Sequence, residues 1–308
     1  MSEHVSVLLD EAIKLLNINP IGTYVDCTLG GGGHSLAILN KLTKGKLICF
    51  EQDVEAINVS NPKLLSTNKE FKIIKDNFVN IKKSLLNNNI SKVDGILYDI
   101  GVSTFQIDSN ERGFSYQSNS KLDMRMDLDN KLTAYEIINT YPVSKLSEIF
   151  FKYGEEKFSS YIANKIVKRR ESKLIETTFE LVDVIKSALP SVVLRKEKHP
   201  ARKVFQSLRI YVNDELSVLE KSLADALTLL NSKGRIVVIT FHSLEDRIVK
   251  HLFRSVTTIN IPRDVVIKDK DIKRDYVLVN KKIITPSEME IDDNNRSRSA
   301  KMRVIEKV

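Results

Sequence analysis

Four consecutive glycines, Gly30 to Gly33, are the feature of this sequence that most limits what the chain can fold into. Residues 23–28, before the glycines, alternate β-branched and aromatic side chains as a strand does, and a short helical pattern begins at His34. Glycine has no Cβ, so the backbone here can adopt positive φ and let a ligand contact the main chain. A strand, a glycine turn and a helix N-terminus together predict a cradle for a nucleotide or nucleoside.

An acidic residue at the end of the next apolar run strengthens this interpretation. Residues 47–50 read Leu-Ile-Cys-Phe, which predicts a buried strand, and Glu51 follows them directly. In sheets with a glycine turn after the first strand, an acid at a later strand end can accept hydrogen bonds from ribose hydroxyls. We therefore expect the glycine run and Glu51 to bind one nucleoside-containing cofactor.

Short predicted strands alternate with helical patterns along the first third of the chain. The strands are expected at residues 23–28, 46–50, 71–75 and 93–99, and an amphipathic helix precedes the first of them. This alternation predicts a parallel, doubly wound α/β sheet. Ligands of such sheets bind beyond the carboxyl ends of the strands. The polar or aromatic residues that fall there are Asp26, Glu51, Asn77, Phe78 and Asp99.

The alternation stops after Asp99. From residue 106 to residue 200 no convincing strand is visible, and a polar loop is followed by helical stretches near 145–153, 158–170 and 179–188. Thr177 or Thr178 is expected to cap the last of these helices. The segment therefore looks like a helical insertion.

The sheet pattern then resumes. Its expected elements are one long helix over residues 205–230 that ends at Gly234, a fifth strand at 235–241, a helix capped by Ser243 with Asp246 as its partner, and a closing antiparallel pair at 276–285 and 300–306. We predict a cofactor-binding domain formed by residues 1–105 and 204–308, with a helical substrate-recognition domain at 106–203 inserted into it.

Basic residues outnumber acidic ones, and they are clustered. The chain has 48 lysines and arginines against 40 acids, a formal charge of +8. Such a surplus is compatible with a solvated surface, but three clusters stand apart. They are residues 168–170, residues 195–203, and Arg296, Arg298, Lys301 and Arg303. Separate basic clusters are typical of a protein that contacts a polyanion with several faces.

Composition limits the class of protein further. No apolar run is long enough to cross a membrane, and the first ten residues lack the basic start and apolar stretch of a signal peptide. Cys27 and Cys49 lack metal-ligand spacing and are expected to be buried, reduced thiols. We therefore expect a cytoplasmic protein with no membrane partner and no bound metal, while its oligomeric state stays open.

Motifs along nearly the whole chain resemble one family of enzymes. They are residues 4–11 (HVSVLLDE), the glycine run with His34 and Ser35, 99–103 (DIGVS), 111–115 (ERGFS), 123–127 (DMRMD), 199–202 (HPAR), 205–210 (FQSLRI), 241–247 (FHSLEDR) and 296–299 (RSRS). In this order and spacing they are similar to the bacterial small-subunit ribosomal RNA (cytosine-N4)-methyltransferases, the RsmH or MraW family.

The resemblance implies a class I methyltransferase-like, doubly wound, mostly parallel sheet with an inserted all-helical domain. It implies S-adenosyl-L-methionine as the methyl donor. The implied acceptor is the exocyclic N4 amino group of a specific cytidine in small-subunit (16S) ribosomal RNA, within the assembled 30S particle. Matched motif by motif, the implied cofactor-binding residues are Gly32, Gly33, His34, Glu51, Phe78, Asp99 and Gln106.

Two positions depart from the usual family pattern. Glu51 and Thr104 stand where members often have aspartate and serine. Glutamate is longer by one methylene, so we expect the ribose contact to survive with some backbone adjustment.

Methylation of a cytosine amino group needs help with the acceptor, because its lone pair is delocalised into the ring. Hydrogen-bond acceptors on the two N–H groups favour tetrahedral geometry and then receive the released proton. Asp99 and His242, which follow the fourth and fifth strands, are the candidate catalytic residues. The Asp/Asn-Pro-Pro-aromatic turn of many amino methyltransferases is absent from the sequence. Asp99 as a cofactor ligand and His242 as a structural residue near a helix cap therefore remain alternatives.

Several other side chains are candidate site residues. Phe78 is expected either to stack on adenine or to belong to the core. Arg112, Phe114 and Tyr116 are candidates for stacking on an extruded base. Arg125, between two aspartates in the sequence Asp-Met-Arg-Met-Asp, fits a salt-bridged turn or a wall of the active site.

Two further functions share part of this pattern. A nicotinamide-dependent dehydrogenase also uses a glycine turn and an acid at a strand end, but usually with Gly-x-Gly-x-x-Gly spacing and without a closing antiparallel pair. A non-catalytic RNA-binding protein of ribosome assembly agrees with the basic clusters, but leaves the cofactor cradle unexplained.

Overall fold

The computed structural model describes residues 6–101, 111–195, 198–258 and 274–308. The chain forms two compact units. Residues 1–101 and 216–308 make up the first, which we call the sheet unit, and residues 102–215 make up the second, the helical unit.

The first half of the sheet unit is a regular alternation of helices and strands. Its elements are α1 (Leu9–Leu16), β1 (Thr23–Asp26), α2 (Gly33–Lys41), β2 (Lys46–Glu51), α3 (Val54–Leu65), β3 (Glu70–Lys75), a 3₁₀ turn (Phe78–Asn80), α4 (Ile81–Asn87) and β4 (Val93–Asp99). The apolar residues of β4, among them Val93, Ile96 and Leu97, are fully buried. Burial on both faces is what a parallel strand between two helical layers requires.

The helical unit follows. Its helices are α5 (Ala134–Thr140), α6 (Val143–Gly154), α7 (Ser159–Arg170), α8 (Thr178–Ser187), α9 (Ser191–Leu194) and α10 (Arg202–Asn213). Capping boxes begin α5 at Thr133 with Glu136 and α8 at Thr177 with Glu180. Thr177 is thus the predicted cap of α8, whereas α5 had not been predicted although its Thr-x-x-Glu signature is visible in the sequence.

The chain then completes the sheet. The remaining elements are α11 (Glu215–Leu229), β5 (Leu230–Thr240), α12 (Ser243–Thr257), β6 (Tyr276–Leu278), α13 (Glu288–Asp293), a 3₁₀ turn (Asn295–Ser299) and β7 (Lys301–Lys307). The strand order is β3-β2-β1-β4-β5-β7-β6, in which β7 is antiparallel to both of its neighbours and the other pairs are parallel. The predicted doubly wound, mostly parallel sheet with a helical insertion is confirmed.

Three local predictions are wrong. The single long helix over 205–230 is two helices, α10 and α11, because Asp214 adopts a left-handed conformation with φ of 48° between them. Gly234 does not end that helix: it lies within β5, and Lys233 takes the left-handed conformation instead. The cap of α12 is His242 with Glu245, one residue before the predicted pair.

The two units divide the chain at 101/102 and 215/216, whereas the predicted domain boundaries are 105/106 and 203/204, so the second boundary lies twelve residues later than predicted. Helix α10, which the prediction joined to the sheet, belongs to the helical unit because its apolar face, including Val204, Phe205 and Leu208, is buried in that unit's core. Within the described residues, no helix combines the length and the apolar character needed to span a bilayer.

Candidate active site

The glycine run forms a left-handed turn between β1 and α2. Gly30 and Gly32 have φ of 47° and 81°, values that residues with a Cβ rarely adopt. A Cβ on Gly32 would also lie 3.0 Å from the Cβ of Ser60. Helix α2 starts at the next residue, Gly33, so its N-terminal amides lie at the carboxyl end of β1. This is the strand–turn–helix geometry that the sequence predicted.

Glu51, the last residue of β2, reaches back to the glycine turn. Its Oε2 accepts the N–H of Gly30 at 2.9 Å, and its Oε1 accepts those of Gln52 at 2.8 Å and Asp53 at 2.9 Å. Burial raises the pKa of this carboxyl in spite of these bonds. A carboxylate has about four acceptor positions, so one on Oε2 is left for a ribose hydroxyl.

Asp26, the last residue of β1, is fully buried. Its carboxylate accepts the hydroxyl of Ser35 at 2.6 Å and the N–H of Thr28 at 3.0 Å. Burial raises its pKa. The Thr28 hydroxyl also accepts the backbone N–H of Asp99 at 2.7 Å and so connects the ends of β1 and β4. Thr28 and Ser35 were not among the predicted site residues, and only their position beside the glycine run pointed to them.

Asp99 ends β4, and the surroundings of its two carboxylate oxygens differ. Its Oδ2 lies 3.5 Å from Nδ1 of His34, while its Oδ1 is buried and has no hydrogen-bond partner among the residues that the structure describes. Burial raises the pKa of Asp99 to about 6; the charge of His34 opposes this rise, and Asp26 and Glu245 add to it. A buried acceptor gains from a hydrogen-bond donor, so this oxygen is placed to accept an N–H or O–H from a ligand or substrate.

The side chain of His34 is 4% exposed and is held at both ring nitrogens. Nε2 lies 3.1 Å from the carbonyl oxygen of Val7, and Nδ1 faces Asp99. Any contact of His34 with a cofactor would therefore involve its backbone amide in the first turn of α2.

Phe78 and Gln106 complete the set of predicted cofactor residues. Phe78 follows β3, packs edge-to-face on Tyr98 with centroids 5.6 Å apart, and its carbonyl accepts the Ser222 hydroxyl at 2.9 Å. It is partly buried against the core and so can present only part of its ring to a ligand. Gln106 lies outside the described residues.

His242, the second predicted catalytic residue, caps α12. Its Nδ1 accepts the N–H of Glu245 at 3.4 Å, and its Nε2 lies 2.9 Å from Oε1 of the same glutamate. The other oxygen of Glu245 accepts the N–H groups of Phe241 and His242. These contacts support the structural alternative for His242.

In the helical unit, two arginines that were predicted as site residues stabilise the turn at residues 123–126. Nη2 of Arg112, which is 5% exposed, donates to the carbonyls of Arg125 and Met126 at 2.9 and 3.2 Å. Arg125 makes a two-pronged ion pair with Asp123, at 2.9 and 2.7 Å. Arg112 is therefore enclosed rather than available for stacking, and Arg125 forms the salt-bridged turn.

An aromatic pair lies next to a basic segment of the same unit. The rings of Tyr116 and His199 are stacked, with centroids 4.5 Å apart and an interplanar angle of 6°. Burial, together with Lys186, lowers the pKa of His199 and so favours its neutral form. Arg195 and Lys198, which precede His199 in the sequence, are exposed, whereas Lys196 lies outside the described residues.

Comparison with known proteins gives a match over the whole chain. The model of the MraW methylase family covers residues 1–308. Ribosomal RNA small subunit methyltransferase H of Mycoplasma mycoides subsp. mycoides SC is 54% identical over 312 aligned residues, covering 100% of both chains. The protein of the same name from Streptococcus mutans serotype c is 51% identical over 308 residues, covering 99% of this chain and 98% of that one.

Solved structures align at much lower identity. An rRNA methylase from Streptococcus thermophilus has 9% identity and a TM-score of 0.43, covering 97% of this chain and 93% of that one. SMU.1697c of Streptococcus mutans, in complex with SAH, has 11% identity and a TM-score of 0.45, covering 99% of this chain and 100% of that one.

Proposed function

The chain belongs to the MraW methylase family, and from this premise we propose that it transfers a methyl group from S-adenosyl-L-methionine to the N4 amino group of a cytidine in small-subunit ribosomal RNA. The observation that carries the proposal is the agreement, over nearly the full length of both chains, with relatives named ribosomal RNA small subunit methyltransferase H. This agreement favours an enzyme over a non-catalytic RNA-binding protein, and a methyltransferase over a dehydrogenase.

The residues at the carboxyl edge of the sheet unit fit this cofactor. The glycine turn leaves room for a ligand against the backbone, Glu51 keeps one acceptor position for a ribose hydroxyl, and Oδ1 of Asp99 has no donor among the residues that the structure describes. We assign cofactor binding to Gly32, Gly33, the backbone of His34, Glu51 and Phe78, with Asp99 and Gln106 as further candidates. Bound S-adenosylmethionine supplies a methyl group on a sulfonium, which is already activated for transfer.

Asp99 is the proposed acceptor for the amino group of the cytosine. Transfer of the methyl group to N4 would leave the cofactor as the neutral thioether S-adenosylhomocysteine, and N4 would give up one proton. A hydrogen bond from N4–H to Oδ1 favours tetrahedral nitrogen, and the carboxylate then receives the proton. A basic carboxylate is suited to this step, and burial of Asp99 raises its pKa to about 6. His242 is proposed to act through Glu245, as a positioning residue at the start of α12.

The reaction is tested with small subunits from cells that lack the protein. Labelled methyl groups should enter the RNA as N4-methylcytidine after addition of the purified chain, and S-adenosylhomocysteine should inhibit the incorporation. Methylation at a different atom, or none, would contradict the proposal.

We further propose that the helical unit contacts the RNA. The support is its stacked aromatic pair beside exposed basic residues, a combination suited to unpaired bases and phosphates. Substitution of Arg195, Lys196 and Lys198 by alanine should weaken RNA binding and reduce its salt slope by about 0.7 per lost phosphate contact. Cofactor affinity should not change. The matched control replaces Lys83, Lys221 and Lys250, three exposed lysines of the sheet unit. An equal loss of RNA affinity in this control would mean that only the net charge of the protein matters.

The assembled 30S particle is the proposed substrate, and the cytoplasm, where ribosomal RNA is found, is the proposed compartment of the reaction. A charge of +8 over 308 residues is small for selective capture of naked RNA, whereas a shaped surface engages separate basic clusters together. Extruding a stacked base costs a few kcal/mol unless the RNA already exposes it. Initial rates of methylation should therefore be highest on small subunits, lower on protein-free RNA and lowest on a short hairpin. Equal rates at matched salt would rule this out.

A further inference from the structure

The imidazole of His34 is held in one orientation. Its Nε2 lies 3.1 Å from the carbonyl oxygen of Val7, which can only accept, so Nε2 must carry a proton. The other nitrogen, Nδ1, faces Oδ2 of Asp99 at 3.5 Å. A neutral ring would point a lone pair at the carboxylate, whereas a doubly protonated ring points an N–H at it. The geometry therefore favours the imidazolium whenever Asp99 is ionised.

The charges around Asp99 make this partner necessary. Asp26 from β1 and Glu245 from α12 both act on Asp99 as like charges, while His34 from α2 acts as the opposing charge. Asp26 and Glu245 already have donors in Ser35, Thr28 and the backbone at the start of α12. Without a cation, a third carboxylate in this cluster would take up a proton and lose its ability to accept an N–H.

We propose that His34 is a positioning residue for methyl transfer, whose imidazolium holds Oδ2 of Asp99 and keeps the carboxylate ionised so that Oδ1 accepts the N4–H of the cytosine. This inference rests on the proposed function of Asp99. After transfer, the proton from N4 resides on Oδ1 while the Nδ1–H of His34 stays directed at Oδ2. Loss of that proton to solvent returns the pair to its starting state.

The first test is the pH dependence of single-turnover methylation of small subunits. In the wild type the rate should rise with pH through about pH 6, as Asp99 ionises. In His34→Gln this rise should move to higher pH by about one unit or more, with at least about a twofold loss at pH 7 and recovery at alkaline pH. In Asp99→Asn, the second substitution His34→Gln should add no further loss. A lower rate at every pH, without a shift of the rise, would overturn the proposal.

The second test does not depend on activity or on the folding of His34→Gln. The ¹⁵N signals of the five histidines are recorded in the wild type without cofactor, and the ring signals of His34 are assigned through their connectivity to its backbone resonances. Both ring nitrogens of His34 should be protonated at pH 7 in the wild type, and Nδ1 should lose its proton in Asp99→Asn. The exposed His251 serves as the control that should not change. A neutral His34 in the wild type would refute the imidazolium, even if the protein methylates RNA as proposed. Conversely, an inactive wild type with a protonated His34 would refute the proposed function and leave the ion pair standing.

Discussion

The acids of the two units differ in the direction of their pKa shifts. In the sheet unit, burial raises the pKa of Asp26, Glu51 and Asp99. In the helical unit, Lys173 and the backbone N–H of Glu176 lower the pKa of Glu180 to about 2. The pKa of Asp123 is also lowered, because hydrogen bonds from Arg125 outweigh the effect of its burial.

This difference distinguishes the acids of a candidate binding site, whose pKa is raised, from acids that stabilise the fold, whose pKa is lowered. A protein that buries carboxylates at a strand edge without full compensation gives up stability there, which is expected where a ligand or substrate supplies the missing partner. Acids that are paired with nearby cations instead stabilise the local structure. Paired cations of the helical unit also stabilise local structure: Arg209 pairs with Glu215 at 2.8 Å, and Arg125 with Asp123 at 2.7 Å. Charge alone therefore does not identify a functional surface in the helical unit.

The largest expected effect is that of Asp99→Asn, which removes the charge but keeps the shape. Methyl transfer should fall by about 10²–10⁴-fold, the usual contribution of a positioned acid or base. Because the pKa of Asp99 is raised from 3.8 to about 6 in the folded protein, its ionisation costs stability in full above about pH 6, and this cost is lost gradually as the pH falls from 6 to 3.8. The variant should therefore be about 1–3 kcal/mol more stable at pH 7 and gain little near pH 4.

Denaturant unfolding at the two pH values measures this, with Asp183→Asn, on an exposed face of α8, as the control. An active variant, or one that is destabilised at pH 7, would remove Asp99 from the class of strained site residues.

Glu51 tests the cofactor side of the same edge. Glu51→Ala should weaken cofactor binding by about 1.5–3 kcal/mol, the range for a hydrogen bond to a charged group. The change also frees the N–H of Gly30, so part of the loss would come from the glycine turn. Glu51→Gln keeps the shape and one acceptor oxygen and should lose less. Titration calorimetry on both variants separates the two contributions, and unchanged affinity in folded Glu51→Ala would exclude the ribose contact.

Adjacent cations of the helical unit should behave differently. Nη1 and Nη2 of Arg170 each donate, at 2.6 Å, to a backbone carbonyl: those of Ile138 and Tyr141. Burial lowers the pKa of this arginine. Arg170→Ala should therefore destabilise the protein by about 1.5–2 kcal/mol. Lys168→Ala, two residues earlier and exposed, should leave stability within about 0.5 kcal/mol and reduce only RNA affinity. Equal losses of stability would contradict the division between scaffold and surface cations.

The sequence specified the sheet unit well because its signals are local. The apolar run of β4 has the predicted bounds, and the glycine turn and Glu51 take the predicted positions. The interaction of the Thr28 hydroxyl with Asp99 was missed because it joins strands 71 residues apart. His242 was missed as a cap because histidine is not among the preferred capping residues. In the helical unit, periodicity located most helices, but which cation of residues 168–170 faces inward depends on packing that no local pattern encodes.

The smallest expected effect tests the opposite sign in the helical unit. Glu180 has a folded pKa of about 2 against an ordinary value of 4.5, so its stabilisation is complete above that ordinary value and is lost as the pH falls toward 2. Because Lys173 is largely exposed, the contribution should stay below about 1 kcal/mol. Glu180→Gln keeps a side chain that can complete the capping box at Thr177 but removes the ion pair. The stability difference from the wild type should therefore be present at pH 6 and reduced at pH 3. A difference that does not change with pH would mean that only the shape of the Glu180 side chain matters. Replacement of Asp99, by contrast, is expected to stabilise the protein only near neutral pH. The contrast between the two units would then rest on the sheet unit alone.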